Sequence, residues 1–139
     1  MENINFKQGT AKQLINGINS LPTSLRGYVS SYTPKEYNAM NCKIFIAEDE
    51  KSGFAVKPDG ELISVFSTVR GRGEAILAYA VQAGAKKLDC YKDESAHLVN
   101  LYSKFGFRVV ESMKWDDQYA PKTWNYTVYG RPDVVIMAR

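Results

Sequence analysis

Arg70-Gly71-Arg72-Gly73-Glu74-Ala75 is the stretch on which the reading of this chain turns. Behind it, residues 73–83 place Ile76, Leu77, Ala80 and Val81 on one apolar stripe, and Gly84 suits the left-handed position that ends a helix. Ahead of it, Leu62-Ile63-Ser64-Val65-Phe66 reads as a strand. The glycines therefore sit where a strand gives way to a helix. A helix start presents unpaired N–H groups and partial positive charge, which stabilise an anion such as phosphate. Gly71 and Gly73 carry no Cβ, so backbone amides there can approach a ligand closely. Arg70 and Arg72 can add charge-assisted hydrogen bonds. Two familiar phosphate loops are excluded. Walker A requires Lys after its last glycine, where this chain has Glu74, and the dinucleotide fingerprint requires a small residue where Ile76 stands.

Working outward, Phe54-Ala55-Val56 and the 62–66 strand flank Pro58-Asp59-Gly60, which predicts an antiparallel hairpin. Residues 43–48 predict a strand before it. Downstream, 87–91 reads as a short strand and 94–105 as a helix with Leu98, Leu101, Tyr102 and Phe105 on one face and Gly106 behind. Residues 107–113 and 133–137 complete the strands. In the first 40 residues, Leu14, Ile15 and Ile18 suggest a helix over 13–18. Thr33-Pro34-Lys35-Glu36 has the form of a capping box with Pro at the first helical position. The order β-β-β-α-β-α-β-β predicts an α/β (α+β) chain with a mixed, mostly antiparallel sheet flanked by helices.

With 139 residues, 45% hydrophobic and 24% charged, the composition is that of one soluble domain. A chain of this size buries roughly 68% of its unfolded surface, enough for a core without staples. The net charge of +3 is mild and lacks a basic stripe, so no nucleic-acid partner is expected. No window approaches the roughly 18 apolar residues of a membrane span, and the N-terminus has no signal-peptide pattern. Cys42 and Cys90 are too few for a disulfide scaffold, and a single His97 gives no metal-ligand set. The expectation is an intracellular, cytoplasmic, metal-free protein with no membrane partner.

Arg70-Gly71-Arg72-Gly73-Glu74-Ala75 resembles, position by position, the Arg/Gln-x-x-Gly-x-Gly/Ala motif of the GNAT superfamily of N-acetyltransferases. Leu101-Tyr102-Ser103-Lys104-Phe105-Gly106-Phe107 resembles that superfamily's Leu-Tyr-x-Lys-x-Gly-Phe signature. The resemblance implies a single domain over 1–139. Its helical N-terminal part is 1–40, its cofactor-binding core 43–114, and a loop and final strand occupy 115–139. It also implies acetyl-coenzyme A as co-substrate, an amine acceptor that is a small molecule or a protein, and direct transfer within a ternary complex. The backbone of Arg72, Gly73, Glu74 and Ala75 would then hold the pyrophosphate, assisted by Arg70 and Gly71. The strand carrying Val65, Phe66 and Ser67 would pair with the pantetheine arm, and an amide near Val65 or Phe66 would face the thioester oxygen, where charge gathers during acyl transfer. Tyr102 would be the general acid for the departing thiolate. The family's cofactor-contacting Asn is replaced here by Ser95, whose hydroxyl offers one bond. Such proteins often pair through their last strands, which leaves a homodimer open.

The base is not named by any motif. An amine of pKa ~10.4 must lose a proton to attack, a penalty near 4.6 kcal/mol at pH 7. Asp89, Glu61 and the Asp116-Asp117 pair are the carboxylate candidates, and solvated surface charge is the ordinary reading of each. Trp115, Asp116 and Asp117 also form an acidic aromatic loop suited to a cationic acceptor, or else a loop pinned to the core by Trp115 and Trp124. Cys90 reads as a small buried hydrophobe. Two competing readings are a catalytically silent binding protein on the same fold and, third, a nucleic-acid module.

Overall fold

The computed structural model describes residues 4–92, 96–121 and 124–139. Four strands, β1 (Phe6–Gln8), β2 (Lys43–Ala47), β3 (Ser52–Val56) and β4 (Leu62–Ser67), form one antiparallel sheet in that order. Before β2 come α1 (Ala11–Asn19), α2 (Thr23–Arg26) and α3 (Pro34–Ala39). After β4 come α4 (Gly73–Gln82), β5 (Lys87–Lys92), α5 (His97–Ser103) and β6 (Arg108–Met113). A 3-10 turn at Asp117–Tyr119, α6 (Tyr126–Tyr129) and β7 (Asp133–Ala138) finish the chain. Strands β5, β7 and β6 make a second antiparallel sheet with β7 in the middle. The mixed α/β architecture of antiparallel strands flanked by helices is the one the sequence predicts.

Local chemistry starts the helices where expected. Thr33 accepts the Glu36 amide at 3.2 Å, and the Glu36 carboxylate accepts the Thr33 amide at 3.0 Å. Thr10 and Gln13 make the same reciprocal cap on α1, the Gln13 amide reaching Thr10 Oγ1 at 3.2 Å and the Thr10 amide reaching Gln13 Oε1 at 2.9 Å. At the other end of α4, Gly84 adopts the left-handed φ of +103° that halts the helix.

The core lies in two apolar clusters on opposite faces of the strands. Phe54, Ile76, Leu77, Leu88, Tyr102 and Met137 pack with α4 and α5, whereas Leu14, Ile18, Tyr37, Ile46, Ile63 and Phe66 pack with α1 and α3. Burial on both faces explains why β3 and β4 read as continuous apolar runs. Helix α1 lies directly on β4: a side chain at Gly17 would run into the Phe66 ring, whose Cζ sits 2.1 Å from the position of its Cβ.

Three features depart from the sequence reading. Strand β1 falls in a region expected to be helical. It is a three-residue edge strand with one buried side chain, too short to show alternation. Helix α5 spans Leu98, Leu101 and Tyr102 but ends at Ser103, before Phe105. The expected start of that helix at Glu94 lies outside the described residues. Strand β4 is irregular: Gly53 faces Phe66 and Ala55 faces Ile63, so Ser64 and Val65 together oppose Phe54. This bulge turns on Ser64, a non-glycine residue at φ +58°.

Candidate active site

Strands β4 and β5 begin side by side and then part. Among the described residues one parallel bridge, Glu61 to Lys87, joins them, and the amides of Lys86 and Lys87 reach the Gly60 carbonyl at 2.9 and 3.3 Å. Past that corner the two strands belong to different sheets. The gap is a cleft of about 320 Å³, walled by Ser64, Val65 and Phe66 of β4, Cys90 of β5, and Leu98 and Tyr102 of α5, with Gly73 at its α4 end.

The glycine turn closes that end. Among the described residues no side chain caps α4, which leaves its first amides without a side-chain acceptor. Gly71 has φ +83° with no atom within 4 Å of an added Cβ, and Arg70 is exposed. Arg72 differs from its expected ionic part at a phosphate. The residue is only 6% exposed and its guanidinium turns inward, with Nη2 donating to Asp49 Oδ2 at 2.6 Å and Nη1 to Asp49 Oδ1 and Ser52 Oγ, both at 3.1 Å. Beside that guanidinium and the Lys51 amide, the Asp49 carboxyl is held down to about 2. Ser52 Oγ in turn meets Ser67 Oγ at 2.9 Å, and Ser67 donates to the Val69 carbonyl at 2.7 Å. Arg72 thus ties the turn to the ends of β3 and β4, and only its backbone remains at the turn's outer surface. No motif signals this pairing, because Asp49 lies in an unremarkable polar loop.

The two quoted motifs meet in space. An added Cβ at Gly73 would lie 2.8 Å from Leu101 Cδ2, and Lys104 Nζ donates to Glu74 Oε1 at 2.9 Å. Leu101-Tyr102 is thereby brought against the start of α4. Tyr102 is buried at the cleft wall, its ring edge-on to Phe107 at 6.0 Å. Burial raises its phenol well above the ordinary value, and neighbouring Cys90 and Asp89 act in the same direction. Burial also pushes the Cys90 thiol up to about 12, with Asp89 adding to it. Ser95 lies outside the described residues.

On β5 the side chains alternate. Leu88 and Cys90 belong to the α4–α5 side, and Asp89 and Tyr91 point the other way. There a second cavity of about 660 Å³ opens between β5 and the segment 23–32. Asp89 lines both cavities, as do Cys90, Tyr91 and the Tyr28-Val29-Ser30 loop. Solvent reaches Asp89, yet the surrounding walls desolvate its carboxyl and raise its pKa. Glu61 adds to the rise and Lys57 opposes it.

The other carboxylate candidates are engaged elsewhere. Glu61 pairs with Lys57 at 3.1 Å. Asp117 accepts from Arg131 Nε at 3.0 Å, Trp115 Nε1 at 2.8 Å and the Tyr126 hydroxyl at 3.2 Å. Asp116 caps the following 3-10 turn by accepting the Gln118 amide at 2.9 Å. Trp115, Asp116 and Asp117 line neither cavity. Trp115 stacks behind Trp124 at 4.6 Å, and Trp124 lines the larger cavity. The loop is pinned through both tryptophans. His97 stands at the cleft mouth on α5.

No protein-family model and no curated protein matches the sequence. Solved structures do match. An acetyltransferase of the GNAT family from Streptococcus pneumoniae is 17% identical, with 99% of each chain covered and a TM-score of 0.63. A GNAT superfamily phosphinothricin acetyltransferase from Sinorhizobium meliloti, in complex with AcCoA, is 13% identical over 99% of this chain and 88% of that one, with a TM-score of 0.60. A ribosomal-protein-alanine N-acetyltransferase from Brucella melitensis is 15% identical over 97% and 98%, with a TM-score of 0.58. The chain has the GNAT fold from end to end.

Proposed function

We propose that the protein is an acetyl-coenzyme A-dependent N-acetyltransferase that moves an acetyl group to an amine by direct attack. The observation that carries the reading is the parting of β4 and β5 beside a bulge, at the uncapped start of α4. An extended arm needs a strand edge to pair with and a place for its phosphates. The cleft offers Val65, Phe66 and Ser67 for the first, and the amides of Gly71, Arg72, Gly73, Glu74 and Ala75 for the second, with Arg70 free to swing over them. Bound there, acetyl-coenzyme A supplies an activated acyl carbon, and the chain supplies position and protons.

At the bulge, the Val65 or Phe66 amide is the donor for the thioester oxygen. Asp89, set where the two cavities join, takes the proton from the amine nitrogen as its bond to the acyl carbon forms. Tyr102 gives its hydroxyl proton to sulfur as the carbon–sulfur bond breaks. Its raised pKa keeps that proton in place until then. Proton exchange with solvent restores both groups. Asp89 is favoured over Glu61, Asp116 and Asp117 because those three have other partners.

Titration calorimetry with acetyl-coenzyme A tests the reading, followed by thiol release against a panel of amines. Saturable binding at micromolar to submillimolar concentration with amine-dependent thiol release is expected. Absence of binding overturns it, and binding without release to any amine leaves the silent-binder reading in its place.

A further inference from the structure

The larger cavity has aromatic walls. Tyr28 meets Tyr91, Trp124 and Tyr129 at ring separations of 5.9, 6.2 and 4.9 Å. Trp124 meets Tyr91 at 5.0 Å and Tyr129 at 4.7 Å, and Trp115 backs it. The rings are held by hydrogen bonds at their edges. Trp124 Nε1 donates to the Gly130 carbonyl at 2.9 Å. The Tyr129 hydroxyl accepts the Gly27 amide at 2.8 Å and donates to the Thr23 carbonyl. A Cβ at Gly27 would strike the Tyr129 ring, so the 23–29 segment is fitted to that ring face.

Charge in this cavity is sparse. Among the described residues that line it, Arg26 and Asp89 carry formal charge, and the exposed Arg26 donates to Asn19 Oδ1 at 2.8 Å. The polar groups a peptide backbone would seek are already engaged. Thr23 and Gly27 are held by Tyr129, Ser30 Oγ accepts the Ser64 amide at 3.1 Å, and Asn125 Oδ1 accepts the amides of Thr127 and Val128 at 3.0 and 3.2 Å. Beside the Ser31 and Tyr32 hydroxyls and Asn125, the described lining offers the partly exposed rings of Tyr28 and Tyr91, which lead to the Asp89 carboxylate at the junction with the cleft.

We infer that this cavity takes an arylalkylamine: a primary ammonium held at Asp89, joined by a short alkyl arm to a flat ring laid against the partly exposed Tyr28 and Tyr91, with Trp124 packed behind them. This names the acceptor class and rests on the acetyl-transfer reading for its chemistry. Ring stacking and cation–π attraction favour such a molecule over a plain alkylamine, and the carboxylate disfavours an anion. The volume of about 660 Å³ suits a small molecule.

The test is direct binding to the full chain without co-substrate, followed by quenching of tryptophan emission. The probes are 2-phenylethylamine, n-butylamine, 3-phenylpropionate and an alanine-initiated hexapeptide. Phenylethylamine is expected to bind about tenfold more tightly than butylamine, with the acid and the peptide weaker still. Asp89→Asn should cost phenylethylamine about tenfold while leaving the Kd for acetyl-coenzyme A within about twofold. Tyr91→Leu should erase the preference for the ring, and its far-UV dichroism checks that it folds. Equal binding of the two amines, tightest binding of the peptide, or an Asp89→Asn protein that binds phenylethylamine unchanged overturns the assignment. Acetyl-coenzyme A binding alongside any of those results fails the acceptor class and leaves acetyl transfer standing. The expected amine preference without acetyl-coenzyme A binding does the reverse.

Discussion

The hydroxyl of Tyr37 lies 2.7 Å from the hydroxyl of Ser64, and the two residues are 1% and 3% exposed. This contact reaches from α3 to the bulge in β4. Together with the Ser64 amide donating to Ser30 Oγ, it holds a non-glycine residue at φ +58°, a conformation that costs about 1 kcal/mol or more. Tyr37→Phe strands a buried hydroxyl, so a loss of about 1–3 kcal/mol in denaturant unfolding is expected. Because the bulge aims the amides of Val65 and Phe66, kcat should fall while KM for acetyl-coenzyme A moves little. A Tyr37→Phe enzyme with unchanged kcat would separate the bulge from the chemistry.

Tyr102→Phe removes the proton offered to sulfur while keeping the ring that packs on Phe107. Transfer should slow by about 10²- to 10³-fold in single-turnover assays, with acetyl-coenzyme A affinity preserved. Since burial raises this phenol, the wild-type rate should show no falling limb assignable to Tyr102 below about pH 10.

Asp89 must lose its proton to act as a base, and its pKa is raised above 3.8. The acid limb of kcat should therefore lie higher than an ordinary aspartate would place it, and Asp89→Asn should abolish it. Linkage gives a second sign. A carboxyl whose pKa is raised by folding disfavours the folded state once pH exceeds that value. Asp89→Asn should accordingly raise Tm at pH 7 while lowering turnover.

Asp49 has the opposite displacement, from 3.8 down to about 2, chiefly through Arg72. Its contribution is present above about pH 4 and is lost as pH falls through about 2. With the carboxylate 39% exposed, screening reduces that contribution to about 1 kcal/mol. Asp49→Ala also leaves the buried Arg72 guanidinium without its counter-charge, so a total loss of about 2–4 kcal/mol is expected by urea unfolding. Acetyl-coenzyme A affinity should fall with it, because the turn loses its anchor.

Much of this arrangement could be read from residues alone. The hairpin around Pro58-Asp59-Gly60, the capping box at Thr33 and the helix behind Gly73 all rest on local chemistry, and all three appear where expected. What stayed hidden depends on contacts between distant segments. Nothing in a run such as Leu62–Ser67 announces a bulge, because Ser64 turns left-handed only under the grip of Tyr37 and Ser30. Likewise the inward turn of Arg72 follows from Asp49 in another hairpin, and the aromatic cavity assembles Tyr28, Tyr91 and Trp124 from three remote stretches. Asp89 was one carboxylate among several until the others were found paired.

Among the described residues the bridge between Glu61 and Lys87 is the one backbone seam between two sheets that share an apolar core, so the two plates are sewn at one corner and packed beyond it. An extended molecule laid along β4 would act as a zip, lending its own amides to a seam the polypeptide leaves unsewn. Hydrogen exchange should then slow on Val65 and Phe66 and on β5 together when such a molecule binds, since stiffening either plate restrains the other.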